Sequence, residues 1–247
     1  MDSTVGDAVL HLSSATSSRS QRGYDRLALW YRTTEWLVFG NRLQRARVAL
    51  IDDLQPWKRL LILGDGNGRL LEQLCVKQLG FATERSSSDA PSRITSVDQS
   101  LRMLRLQQMR VELVHASEYV DLIQADACGY KPEVGAYDVV VTPFFLDCFS
   151  LAELKSHLPH WLAALRVGGV LLHVDFIVPQ SPWQRPRAKL LLWAMHLFFR
   201  WQTGLANRQL VDTQSLIAQC GMRMECEQIS EGGMITTQIW RFAPWSS

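Results

Sequence analysis

Residues 59–69 read Arg-Leu-Leu-Ile-Leu-Gly-Asp-Gly-Asn-Gly-Arg. The apolar residues at the start predict a buried strand, and residues 69–79 have the apolar periodicity of a helix. Between the two, Gly64, Gly66 and Gly68 allow the backbone to turn sharply and to lie against a ligand. The N–H groups that begin the helix have no partner within it and can donate to polar ligand atoms. The stretch therefore predicts a strand, a ligand-binding turn and a helix.

The spacing of the glycines distinguishes two classes of ligand. A dinucleotide fingerprint, Gly-x-Gly-x-x-Gly, would place glycine at position 69 or 71, where Arg69 and Leu71 stand. The third glycine comes one residue earlier, which favours a smaller nucleoside ligand without a pyrophosphate. The alternative is a tight strand-to-helix turn that binds nothing.

Strands and helices alternate on the C-terminal side of this turn. The pattern predicts further strands at 94–98, 119–124, 137–142 and 170–176. Such alternation indicates a parallel sheet covered by helices on both faces. Residues 223–229 and 235–242 are so close in sequence that they can pair only as an antiparallel hairpin. The predicted class is α/β, with a three-layer, doubly wound and mostly parallel sheet that ends in this hairpin.

Two carboxylates lie at the predicted ends of neighbouring strands. Asp98 ends the second strand, where a carboxylate can accept hydrogen bonds from both hydroxyls of a ribose. Asp126 follows the third strand, where it can accept from an adenine amino group while Ala127 packs against the ring. The alternatives are a solvated strand end for Asp98 and a turn cap for Asp126. Together with the glycine turn, the two carboxylates predict a pocket for an adenosine-containing ligand.

Five segments resemble the motifs of class I (Rossmann-like) S-adenosylmethionine-dependent methyltransferases, in that family's order. They are Leu-Ile-Leu-Gly-Asp-Gly-Asn-Gly-Arg at 61–69, Val-Asp-Gln-Ser-x-x-Met-Leu at 97–104, Gln-Ala-Asp-Ala at 124–127, Tyr-Asp-Val-Val-Val-Thr at 137–142 and Leu-Arg-Val-Gly-Gly-Val-Leu-Leu at 165–172. Residues 24–31 also resemble the opening segment of the small-molecule members. The resemblance covers residues 24–177, and the family's terminal hairpin corresponds to 223–242.

The resemblance implies a seven-stranded sheet, the cofactor S-adenosyl-L-methionine and methyl transfer. It places the cofactor against Gly64, Asp65, Gly66, Gly68, Asp98, Gln99, Asp126, Ala127, Thr142 and Phe144. The chain departs from the family at Ile62, because an acidic residue is usual two positions before the first glycine. Asp65 is the candidate substitute for that acid. The long interval between the first two motifs requires an insertion at residues 81–93.

Residues 142–147 follow the fourth strand, beside the expected position of the reactive methyl group. Phe144 and Phe145 there either pack in the core or form an aromatic wall that orients cofactor and acceptor and favours a sulfonium cation. The candidate substrate contacts are Tyr24, Tyr31, Phe145 and Trp193.

A general base is needed only when the methyl acceptor must lose a proton. Asp147 and His173 lie at or near predicted strand ends and are the candidate catalytic residues, with Asp175 as a further candidate. The alternative for all three is a structural role.

Residues 178–210 form a predicted helical cap between the fifth and sixth strands, where the family often builds its acceptor-binding cover. Within the cap, residues 187–204 make an apolar surface broader than packing on one side of a helix requires. Three interpretations stay open: a packed helix, a lid over a lipophilic acceptor, or peripheral contact with a membrane. The longest apolar run is far short of the ~20 residues of a membrane span.

Composition sets the remaining limits. The chain has 247 residues, 47% of them hydrophobic, which suits one domain at 23–247 with N-terminal helices at 24–54. Residues 1–22 are predicted to be a disordered arm. A net charge of +2 gives no reason to expect a nucleic-acid partner. Five cysteines without a Cys-x-x-Cys pair predict reduced thiols, a cytoplasmic protein and no metal site.

The leading interpretation is a methyltransferase that acts on a small, lipophilic molecule. The alternative is a catalytically inactive, methyltransferase-like binding or scaffold subunit, which Ile62 favours. A nicotinamide-dependent oxidoreductase is disfavoured by the glycine spacing and by the terminal hairpin. Nothing in the sequence indicates the acceptor, the methylated atom or an oligomeric state.

Overall fold

The computed structural model describes residues 11–12, 41–84, 92–177, 211–230 and 233–242. In these ranges, the strands are β1 (His11–Leu12), β2 (Arg59–Leu63), β3 (Arg93–Asp98), β4 (Val120–Gln124), β5 (Tyr137–Pro143), β6 (Leu165–Phe176), β7 (Met222–Ser230) and β8 (Ile235–Phe242). The α-helices are α1 (Arg42–Val48), α2 (Arg69–Glu84), α3 (Leu101–Leu113), α4 (Leu151–Leu162) and α5 (Thr213–Gln219). Short 3-10 turns lie at Ser117–Tyr119 and Leu146–Cys148.

All the strands join one sheet in the order β1-β4-β3-β2-β5-β6-β8-β7. The first six strands in this order run parallel to one another. Strand β8 is antiparallel to both β6 and β7. The predicted α/β class, with a mostly parallel sheet ending in a hairpin, is confirmed, and the seven predicted strands are β2 to β8. Strand β1 adds an eighth at the edge, within the segment expected to be a disordered arm. The rest of that segment lies outside the described residues.

Strand β2 lies where the direction of the winding reverses. From β2 the chain moves outward through β3 to β4, and it then returns to place β5 on the other side of β2. Connections that leave the sheet in opposite directions open a crevice at the carboxyl ends of the two central strands, where ligands of such folds bind. Residues 64–68 follow β2 directly, so the glycine turn borders this crevice.

The side chains of β2 alternate between two apolar layers. Leu60 and Ile62 pack in the layer of α2 and α3, and Leu61 and Leu63 in the layer of α4 and α5. All four are 0% exposed, which explains why the strand is apolar throughout. Full burial of a side chain of this size stabilises the fold by about 1.5–3 kcal/mol. The three-layer prediction is thereby confirmed.

Helix α1 connects the N-terminal part of the chain to its C-terminal hairpin. Leu43 and Ala46 pack with apolar side chains of β6 and β8. The hydroxyl of Thr237 on β8 donates to the backbone oxygen of Ala46 at 2.8 Å. The helix lies within the segment 24–54 that the sequence predicts to be helical, and residues 24–40 of that segment lie outside the described ranges.

Helix α4 begins with the capping box that its sequence predicts. The hydroxyl of Ser150 accepts from the backbone N–H of Glu153, and the Glu153 carboxylate accepts from the backbone N–H of Ser150. Pro159 lies inside this helix. Across the described ranges, no helix has both the length and the apolar character that crossing a bilayer requires.

Candidate functional site

The three glycines of the turn have positive φ angles of +72°, +64° and +80° at Gly64, Gly66 and Gly68. A Cβ on Gly64 would lie 2.6 Å from Cδ2 of Phe145, and one on Gly68 would lie 2.9 Å from Cα of Gln107. Packing therefore requires glycine at both ends of the turn. A Cβ on Gly66 would meet nothing within 4 Å, so the middle glycine is the one that borders open space.

Asp98 ends β3 with its carboxylate against the glycine turn. Its Oδ2 accepts from the backbone N–H of Gly66 at 3.3 Å, and its Oδ1 accepts from the backbone N–H of Ser100 at 2.9 Å. Ser100 also caps α3, because its hydroxyl accepts from the N–H of Met103. The structure thus brings Asp98 and the glycine turn together, as the sequence predicts for a nucleoside pocket.

The tip of β4 lies beside the tip of β3. The side-chain amide of Gln124 donates to the backbone oxygen of Gln99 at 3.4 Å. Asp126 is exposed and accepts from the backbone N–H of Cys128 at 3.0 Å, so it caps the turn that follows β4. The backbone oxygen of Ala127 accepts from the indole N–H of Trp161 on α4. These contacts fix the turn, and the predicted adenine contacts stay a prediction.

Asp65 turns away from the crevice and towards α2. Its Oδ2 accepts from the backbone N–H of Leu71 at 2.9 Å, and the side chain is 2% exposed. Burial raises the pKa of Asp65 to about 6, against the opposing effects of Arg47 and of hydrogen bonds from Leu71 and Leu70. In this position the carboxylate caps a helix, and its predicted role as the substitute acid has no contact that supports it. Ile62 is wholly buried.

His173 is enclosed by side chains from two other elements. Its Nδ1 is 3.0 Å from the Thr142 hydroxyl, and its Nε2 is 3.2 Å from the Thr213 hydroxyl. Burial lowers the pKa of His173 to about 4, although the contact with Thr142 opposes this shift. Asp175 has an oxygen 3.6 Å from Nε2, but burial, with a further contribution from Asp147, raises the pKa of Asp175 well above its ordinary value. Burial thus favours the neutral form of both groups.

The two phenylalanines after β5 point to different places. Phe145 is 8% exposed and packs beneath the glycine turn, with ring centroids 4.9 Å from Phe149 and 5.2 Å from Trp161. It occupies the core, which was the alternative to a substrate contact. Phe144 has a φ of +53°, packs 4.8 Å from Phe176, and has the buried guanidinium of Arg47 over its ring at 5.3 Å.

Asp147 lies half-buried in the turn after β5, next to Cys148. Their side chains approach to 3.6 Å between Sγ and Oδ1. Burial raises the pKa of the Cys148 thiol well above its ordinary value, and the carboxylates of Asp147, Asp175 and Asp98 raise it further. Asp147 follows β5, one of the two central strands whose carboxyl ends border the crevice.

Several predicted residues cannot be located. Tyr24, Tyr31 and Trp193 lie outside the described residues, as do the cap at 178–210 and its apolar stretch at 187–204. In the stretches that the structure does describe, no three His, Cys, Asp or Glu side chains are grouped as a metal site would need.

Two residues on α3 that sequence reasoning missed support the glycine turn. Gln107 donates to the backbone oxygen of Gly66, and Arg110 donates to that of Asn67, both at 2.9 Å. The sequence could have indicated them only through their spacing, because residues three apart share one face of a helix. That spacing does not reveal which turn the face contacts.

Several solved structures with the same architecture are methyltransferases. The mitomycin 7-O-methyltransferase MmcR matches with a TM-score of 0.64 and 16% identity, over 89% of this chain and 60% of that one. An O-methyltransferase family protein from Burkholderia thailandensis gives 0.64 and 16%, over 92% and 64%. An O-methyltransferase family 2 protein from Planctomyces limnophilus, in complex with apigenin, gives 0.61 and 14%, over 89% and 62%.

The chain therefore has the predicted class I methyltransferase fold. It spans about three fifths of the length of these three proteins. No protein-family model matches the chain, and no curated protein sequence does.

Proposed function

We propose that this chain binds S-adenosyl-L-methionine and transfers its methyl group to a small, lipophilic acceptor. One observation carries the proposal: Asp98 accepts a hydrogen bond from Gly66, the glycine that borders open space in the crevice. The methyltransferase fold supports the general kind of reaction.

The residues at the tips of β3 and β4 fit the nucleoside end of this cofactor. Asp98 ends β3 beside the glycine turn, where its carboxylate would accept from the ribose hydroxyls. Asp126 uses Oδ1 for its own turn and would accept from the adenine amino group through its other oxygen. Gln99 and Ala127 would border the same end of the pocket.

When bound, S-adenosylmethionine supplies a methyl group on a sulfonium centre that needs no further activation. The chain therefore has to align the acceptor with that methyl group and exclude water. Phe144, which is held by its contacts with Phe176 and Arg47, would form a wall of the crevice. The predicted cap at 178–210 would cover the acceptor.

Asp147 is a better candidate base than His173. Asp147 is half-buried beside the crevice, where one carboxylate oxygen would take the proton of an acceptor that must lose one. His173 is 0% exposed, and both of its ring nitrogens contact threonine hydroxyls. We therefore assign His173 a structural role.

Calorimetry with three ligands tests the cofactor. We expect S-adenosylmethionine and S-adenosylhomocysteine to bind and NADH not to bind. Binding of NADH without binding of S-adenosylmethionine would overturn the proposal in favour of an oxidoreductase. Incubation of the protein with radiolabelled methyl donor and cell extract, separated into aqueous and organic fractions, then tests the acceptor. Label is expected in the organic fraction.

A non-catalytic, methyltransferase-like subunit is the alternative, and one observation favours it. Ile62 is buried at the position usual for an acid, and Asp65 directs its carboxylate to α2 instead. The amino-acid end of the cofactor would then lack that contact. Cofactor binding without label transfer to any fraction would support this alternative.

A further inference from the structure

Helix α3 holds the glycine turn through one buried glutamine. Gln107 is 0% exposed, and its Nε2 donates to the backbone oxygen of Gly66 at 2.9 Å. Its Oε1 accepts from the hydroxyl of Ser96 on β3 at 2.8 Å. Since both ends of the amide are engaged, the side chain is fixed in one orientation.

Gly66 is consequently held on both sides of its α-carbon. Gln107 binds its carbonyl oxygen, and Asp98 binds its N–H group. Glycine has more accessible backbone conformations than any other residue, so a glycine at φ +64° that faces open space needs such bonds to stay in place. The two peptide groups flanking Gly66 are thereby linked to one helix and one strand tip.

The neighbouring residues of the turn also rest on α3. Arg110 donates to the backbone oxygen of Asn67 at 2.9 Å and forms an ion pair with Glu72 on α2. A Cβ on Gly68 would lie 2.9 Å from Gln107, so the backbone of the turn passes directly against the helix. Three consecutive residues of the turn therefore take their position from α3.

We infer that Gln107 is a positioning residue for cofactor binding. It acts through the turn: it orients Gly66 so that the Gly66 N–H reaches the Asp98 carboxylate, which is then directed at the ribose. This inference rests on the proposed function, because Asp98 is the proposed ribose ligand. If Gln107 acts in this way, the effect of its substitution on cofactor affinity must depend on the presence of Asp98.

The first test replaces the amide without changing its volume. Gln107→Met removes both hydrogen bonds, and we expect it to raise the Kd for S-adenosylhomocysteine by about tenfold, the size of one or two buried hydrogen bonds. The matched control is Gln108→Met, because Gln108 is the next residue on α3 and donates to Glu112 at the surface. The control should bind like the unsubstituted chain. Equal affinity in all three proteins would overturn the inference.

A double-mutant cycle separates positioning from a general loss of structure. In the Asp98→Ala background, the tenfold effect of Gln107→Met should fall to less than about twofold, since the group through which Gln107 acts is gone. A general structural effect would keep its full size in that background. Persistence of the tenfold effect would therefore contradict the inference.

A third variant gives a pH signature. In Gln107→Glu, a protonated carboxyl can still donate to the Gly66 oxygen, whereas a carboxylate only accepts. The affinity of this variant for S-adenosylhomocysteine should therefore weaken with rising pH relative to the unsubstituted chain. A constant ratio of the two affinities between pH 5 and 9 would count against the inference.

Hydrogen exchange in the free chain separates this inference from the proposed function. If the unsubstituted chain binds no S-adenosylhomocysteine, the proposed function fails. Faster exchange at residues 64–68 in Gln107→Met than in Gln108→Met would still show that Gln107 orders the turn. Equal exchange in the two variants would show that Gln107 does not order the turn and would overturn the inference.

Discussion

The two halves of the crevice use their polar groups in different ways. On the side of β2 and β3, Asp98 accepts from the backbone N–H groups of Gly66 and Ser100, beside a glycine that borders open space. On the side of β5 and β6, His173 contacts Thr142 and Thr213 inside the core. Asp98, Thr142 and His173 all lie at or near predicted strand ends in the sequence. A polar strand end therefore indicates a functional residue only where the surrounding elements leave it facing a ligand.

The largest effect is expected where the two halves touch, at Gly64 and Phe145. Gly64→Ala should lower the free energy of unfolding by about 2–5 kcal/mol, the sum of left-handed backbone strain and overpacking against the ring. Gly66→Ala is the matched control, because it adds strain of about 1–2 kcal/mol without a clash. Urea unfolding measures both. An equal loss in the two variants would show that the halves are not in contact there.

The halves should also differ in the sign of their pH dependence. The pKa of Asp65 is raised from 3.8 to about 6, so its contribution to stability is present below pH 3.8 and is lost as the pH rises through 6. The pKa of His173 is lowered from 6.5 to about 4, so its contribution is present above pH 6.5 and is lost as the pH falls through 4. The two shifts correspond to upper limits of about 3 kcal/mol for Asp65 and about 3.5 kcal/mol for His173.

Two variants separate these opposing contributions. Between pH 7 and 5, the stability of Asp65→Asn should fall relative to the unsubstituted chain, because the variant lacks the gain on protonation. The stability of His173→Asn should rise relative to the unsubstituted chain over the same interval. Chemical denaturation at several pH values provides the measurement. Relative stabilities that move in the same direction would contradict the assignment of the two shifts.

Substitutions of Asp98 and Asp147, which lie on opposite sides of the crevice, should affect cofactor binding and turnover separately. Asp98→Ala should weaken S-adenosylmethionine binding by about 1.5–3 kcal/mol, the usual value for a hydrogen bond to a charged group. Asp147→Asn should leave that affinity unchanged and lower kcat for an acceptor that loses a proton. Calorimetry and steady-state kinetics measure the two effects. A loss of cofactor affinity in Asp147→Asn would place both residues in one subsite.

The smallest effect is expected within the buried network. Thr213→Val removes one contact of His173 and should lower the free energy of unfolding by about 1 kcal/mol without changing kcat or its pH profile. Thermal unfolding and kinetics on the same preparation provide the test. A shifted pH profile of kcat would contradict the structural role of His173 and indicate that it takes part in catalysis.

Local patterns predicted the fold and the proximity of Asp98 to the glycine turn. Strand β2 is apolar throughout because both of its faces are buried, and a wholly apolar strand is visible in the sequence. The glycine turn and Asp98 have spacings that a sequence displays directly. Strand β1 was missed because two residues carry no periodicity.

The remaining features depend on contacts between distant segments. Gln107 lies 41 positions from Gly66, and a glutamine within a helix has no distinctive pattern. His173 stands near the end of an apolar strand, which suggests catalysis, but Thr142 and Thr213 enclose it from other elements. Asp65 follows the first glycine of the turn, where a cofactor-binding residue is expected. Its carboxylate instead points to the start of α2, where it accepts from the N–H of Leu71.

The anchoring of α1 on β8 has a consequence for how the chain folds during synthesis. The Thr237 hydroxyl that binds Ala46 is 191 positions further along the chain. At about 5–20 residues per second, translation would leave α1 without this partner for roughly 10–40 seconds. Its apolar side chains would stay exposed on the ribosome until the last strands emerge, so we expect chaperones to engage nascent chains through this early helix.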